Sequence, residues 1–330
     1  MLLPLLLLTS CSDGGDGFDS EVVIDEMGYP SVVYHNHNYY VTGQRNGTDI
    51  IYLYSTPELI GENKHLKRQT ILKGHEHGFQ RFYSPELEYI NGKWYIYFDS
   101  DNGLNSDTHQ LYVMENPSED PMKGTWTIHG PIMTNREWNF SIHPDLFTCG
   151  GKLYMLWSGW PTRRIESETQ CIFIAEMENP WTLKSERILI SQPEYEWERQ
   201  WINSDGTRSA YPIFVNENPQ AAVSPDGRNV VVFYSASGIW TEYIAPGMLY
   251  ASATSNLLDP RSWTKLPEPL INPVEEDSGE RISNLIVVQN TDDGECYLVS
   301  ERRVRDINKL FSRWIIAAPM TWNDRSLPEI

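Results

Sequence analysis

The chain predicts an all-β protein, a single five-bladed β-propeller with four antiparallel strands per blade. Three observations carry this. A pair of apolar, aromatic-rich runs joined by a hairpin signal recurs five times. The recurrences start at Pro30, Pro85, Pro144, Pro219 and Ser283, spaced 55, 59, 75 and 64 residues apart. No stretch of useful length keeps the apolar period of a helix. Four strands per repeat at that spacing mark propeller blades, and blades longer than the ~40–45 residues of a WD-type array divide this chain into five.

In chain order, residues 1–20 read as a leader. Met1 to Leu8 is an apolar run far short of the ~20 residues a spanning helix needs. It leads into Leu8-Thr9-Ser10-Cys11, which resembles a bacterial lipoprotein signal with Cys11 as the lipidated residue. Ser12 to Asp16 resembles the acidic tether of surface lipoproteins of the Bacteroides group. The expectation is a monomer on the cell surface or in the periplasm, anchored to the outer membrane by lipid alone, with the propeller over residues 21–330.

The blades follow from strand chemistry. Pro30 to Gly43, Pro85 to Ser100, Pro144 to Gly159, Pro219 to Ser237 and Ser283 to Ser300 each hold two β-rich runs. Turn pairs such as Asn91-Gly92, Gly150-Gly151, Asp226-Gly227 and Asp293-Gly294 separate most of them. A third apolar strand starts at Ile50, Gln110, Cys171, Gly247 and Arg313. A fourth begins near Trp126, Arg187 and Trp263.

Charge narrows the partner. With 26 Lys+Arg against 45 Asp+Glu the net charge is -19, which argues against a nucleic-acid backbone or an anionic membrane surface. Cys149, Cys171 and Cys296 are odd in number and widely spaced, so neither a zinc site nor a disulfide framework is expected.

A propeller brings the starts of its innermost strands together at one end of the axis. Those starts are Tyr29, Ser84 to Glu86, Ser141 to Asp145, Asn216 to Asn218, and Gly279 to Asn284. The block from Tyr83 to Tyr97, YSPELEYINGKWYIY, resembles the W-A-P-E-[LI]-H-Y-I-[ND]-G-K-W-Y-I-Y block of glycoside hydrolase family 43. Ile174 to Leu183, Pro193 to Glu198, Val215 to Glu217, Tyr234 to Ser237, Leu257 to Lys265 and Thr321 to Asn323 are similar to its arabinofuranosidase-like branch. The resemblance implies a five-bladed propeller that hydrolyses arabinose-, xylose- or galactose-type side chains of a plant or host glycan. It implies an acid and a base carboxylate ~6.5–9.5 Å apart, with water between them, and a third carboxylate that tunes the acid.

Carried over residue by residue, the resemblance makes Glu217, in Val215-Asn216-Glu217-Asn218-Pro219, the general acid. The family's base is the Asp of an A-D-P motif, where this chain reads Gly28-Tyr29-Pro30. Its tuner is an Asp where this chain has His143. The base is therefore non-standard, with Asp145 the first substitute and Asp25, Glu26, Glu86, Glu280 and His143 behind it. Two other readings stay open: a surface glycan-binding propeller without turnover, and a polysaccharide lyase using His143 and Tyr29. Glu86, Trp157, Trp201, Arg281 and Arg303 are the candidate sugar contacts, with Trp138, Trp160, Trp197 and Trp240 as further rings at strand ends. The fifth-blade His that often holds calcium in the family's channel falls within Ser278-Gly279-Glu280-Arg281 here, and no metal or other cofactor is expected.

Overall fold

The computed structural model describes residues 20–101, 103, 105–136, 140–162, 168–202, 208–271, 280–305 and 311–330. Cys11, the rest of the expected signal and Trp138 lie outside those residues. Among the described residues there is no α-helix.

The strands run in chain order as β1 (Glu21–Asp25), β2 (Met27–His35), β3 (Asn38–Arg45), β4 (Ile50–Thr56), β5 (Lys67–Lys73), β6 (Glu86–Ile90), β7 (Lys93–Ser100) and β8 (Gln110–Asn116). They continue as β9 (Thr127–Ile132), β10 (Ser141–Cys149), β11 (Lys152–Gly159), β12 (Glu168–Asn179), β13 (Thr182–Leu183), β14 (Ile188–Ser191), β15 (Arg199–Ile202) and β16 (Arg208–Val223). The last are β17 (Asn229–Ala236), β18 (Ala245–Ser252), β19 (Thr264–Lys265), β20 (Glu280–Gln289), β21 (Cys296–Arg305), β22 (Phe311–Trp322) and β23 (Pro328–Glu329).

Blade one is β2-β3-β4-β5 and blade two β6-β7-β8-β9. Blade three is built on β10-β11-β12-β14 and blade four on β16-β17-β18-β19. Blade five takes its fourth strand from the other end of the described chain: β1 pairs with β22 outside β21 and β20, with Glu21 opposite Ala317. That pairing closes the ring by tying the start of the described chain into the last blade.

The five cores lie between blades, which explains why both faces of these strands are apolar. On β7, Trp94, Ile96 and Phe98 pack toward blade one with Tyr40, Ile51 and Leu53. The alternate residues Tyr95 and Tyr97 pack toward blade three with Met155 and Phe173. Blade four repeats this, with Val230, Val232 and Tyr234 facing blade three and Val231 and Phe233 facing blade five. Alternation of a strand's side chains thus serves two cores at once. The hairpin turns carry the left-handed backbone their residues suit, at Asn91 (φ 50°) with Gly92 (81°) and at Gly150 (57°) with Gly151 (74°).

Blades three and four are also joined by backbone. The first part of β16 runs parallel to the start of β12, pairing Glu168 with Ile213, Thr169 with Phe214 and Gln170 with Val215. This weld fixes the segment that leads directly into Glu217.

Candidate active site

Four inner strands slip register at the same place: between Gly28 and Ser31, Ile142 and Asp145, Glu217 and Gln220, and Ser283 and Ile286. Each slip contains a residue with left-handed backbone, Tyr29 (φ 51°), His143 (53°), Asn218 (52°) and Asn284 (54°). A non-glycine residue held there costs on the order of 1–3 kcal/mol. The surroundings offset that cost with a repeated hydrogen bond from the slipped residue's N–H. Asn218 N donates to Ser158 Oγ (2.9 Å), Asn284 N to Ser235 Oγ (3.2 Å), His143 N to Asp99 Oδ2 (3.0 Å) and Tyr29 N to Glu301 Oε2 (3.0 Å). Every acceptor comes from the second strand of the preceding blade. Two blades use serine, and the two beneath Tyr29 and His143 use a carboxylate.

Glu217 is placed one residue before its slip, buried at 1% exposure. Its Oε1 accepts the Ile239 N–H at 2.7 Å, and its Oε2 stands 3.8 Å from His143 Nδ1. The Ile239 carbonyl in turn accepts from Arg303, whose other guanidinium nitrogen donates to the Thr241 carbonyl at 3.0 Å. The Tyr29 and His143 rings pack at a 31° tilt with centroids 5.3 Å apart, Tyr83 lies 6.2 Å from His143, and the Arg313 guanidinium covers the Tyr29 ring at 5.5 Å. One acid, two arginines and three aromatic rings therefore meet at the axis.

Electrostatics make both rings at the family's carboxylate positions neutral. Burial, helped by nearby His109, lowers the His143 pKa to about 3. Burial pushes the Tyr29 phenol well above its ordinary value, Glu217 and Glu301 adding to the effect and Arg313 opposing it. Both nitrogens of the His143 ring are buried without a hydrogen-bond partner. Such groups are rare in folded proteins and are satisfied by a polar ligand or water.

Several expectations change on this geometry. Asp145 lies deeper in the channel, where its Oδ2 accepts the Ala221 N–H at 2.9 Å. Burial and the neighbouring Glu86 and Glu88 raise its pKa well above the ordinary carboxylate value, which disfavours the ionised form a base needs. Glu86 is spent on the same channel, accepting from Ser31 Oγ (2.7 Å) and Gln220 Nε2 (3.0 Å), and is not a sugar contact at the mouth. Glu86, Glu88 and Asp145 bring three carboxylate oxygens within 4.8 Å of one another, close enough to share a cation. Burial raises the Glu86 pKa to about 8, so protons can neutralise the group.

Trp157 is fully buried against Phe173 in the core between blades two and three, with no ring face open to a sugar. Arg281 is tied to the carbonyls of Glu242 (2.7 Å) and Glu280 (2.5 Å). Trp201 stays 43% exposed and, with Pro161, Thr169, Cys171, Gln192, Pro193, Glu196, Arg199 and Phe214, lines a crevice of about 470 Å³ between blades three and four.

Asp99, Glu301, Tyr83 and Arg313 were not singled out from sequence. A signal for the first two exists. Asp99, Ser158 and Glu301 each fall seven residues after a hairpin glycine, Gly92, Gly151 and Gly294, and Ser235 falls eight after Gly227. An acid at that phase of an apolar strand marks the position.

The family model for "Glycosyl hydrolases family 43" matches residues 20–327. Over 188 residues the chain is 36% identical to an extracellular exo-alpha-(1->5)-L-arabinofuranosidase of Streptomyces chartreusis, covering 57% of this chain and 52% of the relative. It is 34% identical over 194 residues to alpha-L-arabinofuranosidase 43 of Humicola insolens, covering 58% of this chain and 37% of the relative. The matches thus span about half or less of these relatives' lengths. The crystal structure of an alpha-L-arabinofuranosidase from Lactobacillus brevis superposes with a TM-score of 0.79 at 29% identity, covering 93% of this chain and 94% of that one. A five-bladed ring matched by the family model over residues 20–327 places the chain in glycosyl hydrolase family 43.

Proposed function

We propose that the protein is an exo-acting glycoside hydrolase that removes arabinofuranose-type side chains or chain ends from a polysaccharide outside the cytoplasm, with Glu217 as general acid. The observation that carries this reading is the setting of Glu217: a buried carboxyl at the axis, held by the Ile239 N–H and facing His143. A group so enclosed, among Tyr29, His143 and Arg303, suits a single terminal sugar better than the middle of a polymer. Arabinofuranosidase relatives, two of them named extracellular, support the sugar class and the location.

In this reading Glu217 gives its proton to the glycosidic oxygen as the bond to the anomeric carbon breaks, and Arg303 balances negative charge around it. Tyr29 and His143 act as neutral partners, the Tyr29 hydroxyl donating and the His143 ring both donating and accepting hydrogen bonds to sugar hydroxyls. The test is product release from arabinan, arabinoxylan, galactan and pectin fragments by wild type and Glu217→Gln. Loss of release in the variant, with an unchanged melting temperature, supports the assignment; equal release from both removes it.

A second reading, a glycan-binding propeller without turnover, rests on the two uncharged rings at the axis. Ligand binding without any sugar release by wild type would select it. The lyase reading asks His143 to abstract a proton, and a ring whose pKa is lowered to about 3 is a weak base for that task.

A further inference from the structure

We infer that Glu301, on the second strand of blade five, is the general base of this site, taking over from blade one's inner strand the carboxylate that Tyr29 does not provide. The inference rests on the hydrolase reading above and names the partner that the acid needs.

Three independent observations converge on Glu301. The first is place. Glu301 Oε2 accepts the Tyr29 N–H at 3.0 Å, so the carboxylate is no further from the residue-29 backbone than an aspartate's own carboxylate would be. The second is steric fit. A Cβ on residue 28 would stand 2.3 Å from Glu301 Oε2 and 2.7 Å from its Cδ. Glycine at 28 therefore creates the space the Glu301 carboxylate fills, and any larger residue closes it. The third is the repeat. The N–H of the slipped residue needs only one neutral acceptor, as Ser158 and Ser235 show in blades three and four. A carboxylate beneath Tyr29 exceeds that structural need, and Asp99 does the same beneath His143.

Glu301 is also held as a base should be. Asn284 Nδ2 donates to its Oε2 at 2.9 Å, and Arg313 Nε stands 3.6 Å from its Oε1. Asn284 Oδ1 accepts from Asn218 Nδ2 at 3.0 Å, and Asn218 follows Glu217 in the chain. A short amide network thus ties the two carboxylates into one frame, with Tyr29 and Arg303 close to both. Preorganisation of this kind keeps an acid and a base at a fixed separation.

The step balances without another reactant. Glu301 takes a proton from water as the water oxygen bonds the anomeric carbon; the bond from that carbon to the leaving oxygen breaks, and Glu217 supplies the proton to that oxygen. One water is consumed, and solvent proton exchange resets both groups.

The test compares wild type, Glu301→Gln, Gly28→Ala, Glu217→Gln and the double variant Tyr29→Asp with Glu301→Gln. The readouts are kcat and KM on an aryl arabinofuranoside and on arabinan fragments, and melting temperature. Expected results are a fall in kcat of at least 10²-fold in Glu301→Gln with KM changed less than threefold, a smaller fall in Gly28→Ala, and at least tenfold recovery in the double variant. Azide added to Glu301→Gln should also restore turnover and give a glycosyl azide. Turnover by Glu301→Gln within threefold of wild type, with Glu217→Gln inactive, overturns the base and leaves the hydrolase standing. A loss that neither azide nor Tyr29→Asp relieves assigns Glu301 a structural role and also overturns the base. No release by wild type from any substrate overturns the hydrolase reading and the base with it.

Discussion

The Oε2 of Glu217 and the Nδ1 of His143 stand 3.8 Å apart, each side chain exposed by only 1%. Opposite charges at that distance would form a buried ion pair, yet burial lowers the His143 pKa to about 3, so above that pH the ring is neutral and the contact is between a carboxyl and an uncharged imidazole. Glu217→Gln keeps the shape and the Ile239 hydrogen bond while removing the transferable proton. Its kcat on arabinan fragments should fall by about 10²–10⁴-fold, the range general-acid assistance contributes, with a melting temperature near that of wild type.

His143 makes a separate prediction about acid stability. Its pKa is depressed in the fold, so the unfolded chain binds a proton there below about pH 6.5 and the folded protein does not until about pH 3. The sign is therefore loss of stability as pH falls through that window, with a limiting slope of about 1.4 kcal/mol per pH unit from this one group. His143→Gln removes the group and should flatten that slope. Urea unfolding of both proteins at pH 7, 5.5 and 4 measures it; parallel curves would show that His143 is protonated in the folded state.

The propeller was legible because strands packed on both sides leave a mark that short windows preserve: Trp94 to Phe98 and Val230 to Tyr234 alternate between two cores, and glycines at 92, 151, 227 and 294 mark the hairpins. Glu217 was picked out because Val215, Asn216 and Pro219 beside it resemble the family's motif, and the structure places its side chain buried beside His143. Glu301 and Asp99 were not, since their role depends on which residue of the next blade's inner strand lies over them, a relation between segments 272 and 44 residues apart. Trp157 misled for a related reason. A tryptophan near a strand end reads the same whether it faces a sugar or the next blade, and only the register of β11 against β10 and β12 turns it toward blade two. The strand that closes blade five also escaped, because Glu21 to Asp25 carries no sign of pairing with β22 almost 300 residues away.

Packing of Trp157 predicts a stability effect where a sugar platform would give a binding effect. The ring is fully buried against Phe173 at 5.9 Å. Trp157→Ala should cost about 3–5 kcal/mol of unfolding free energy. KM at a temperature where the variant is still folded should stay near the wild-type value; a raised KM with unchanged stability would return Trp157 to the list of sugar contacts.

The crevice between blades three and four predicts where the rest of the substrate lies. Phe214, in its wall, and Glu217 sit three residues apart on β16, roughly 10 Å by the rise of an extended strand. The Trp201 ring packs edge-on to Phe214 at 5.1 Å and remains 43% exposed, and Arg199 stands over the same Phe214 ring at 5.8 Å. In the proposed reading the further sugars of an oligosaccharide leaving group extend along this wall, whereas an aryl arabinofuranoside has no sugar beyond its single ring to place there. Trp201→Ala should therefore raise KM for an arabinan oligosaccharide by about tenfold, the loss of a ring contact worth ~1 kcal/mol or slightly more. KM for the aryl arabinofuranoside should change by less than twofold. Equal effects on both substrates would place Trp201 against the terminal sugar, and no effect on either would remove the crevice from the binding path.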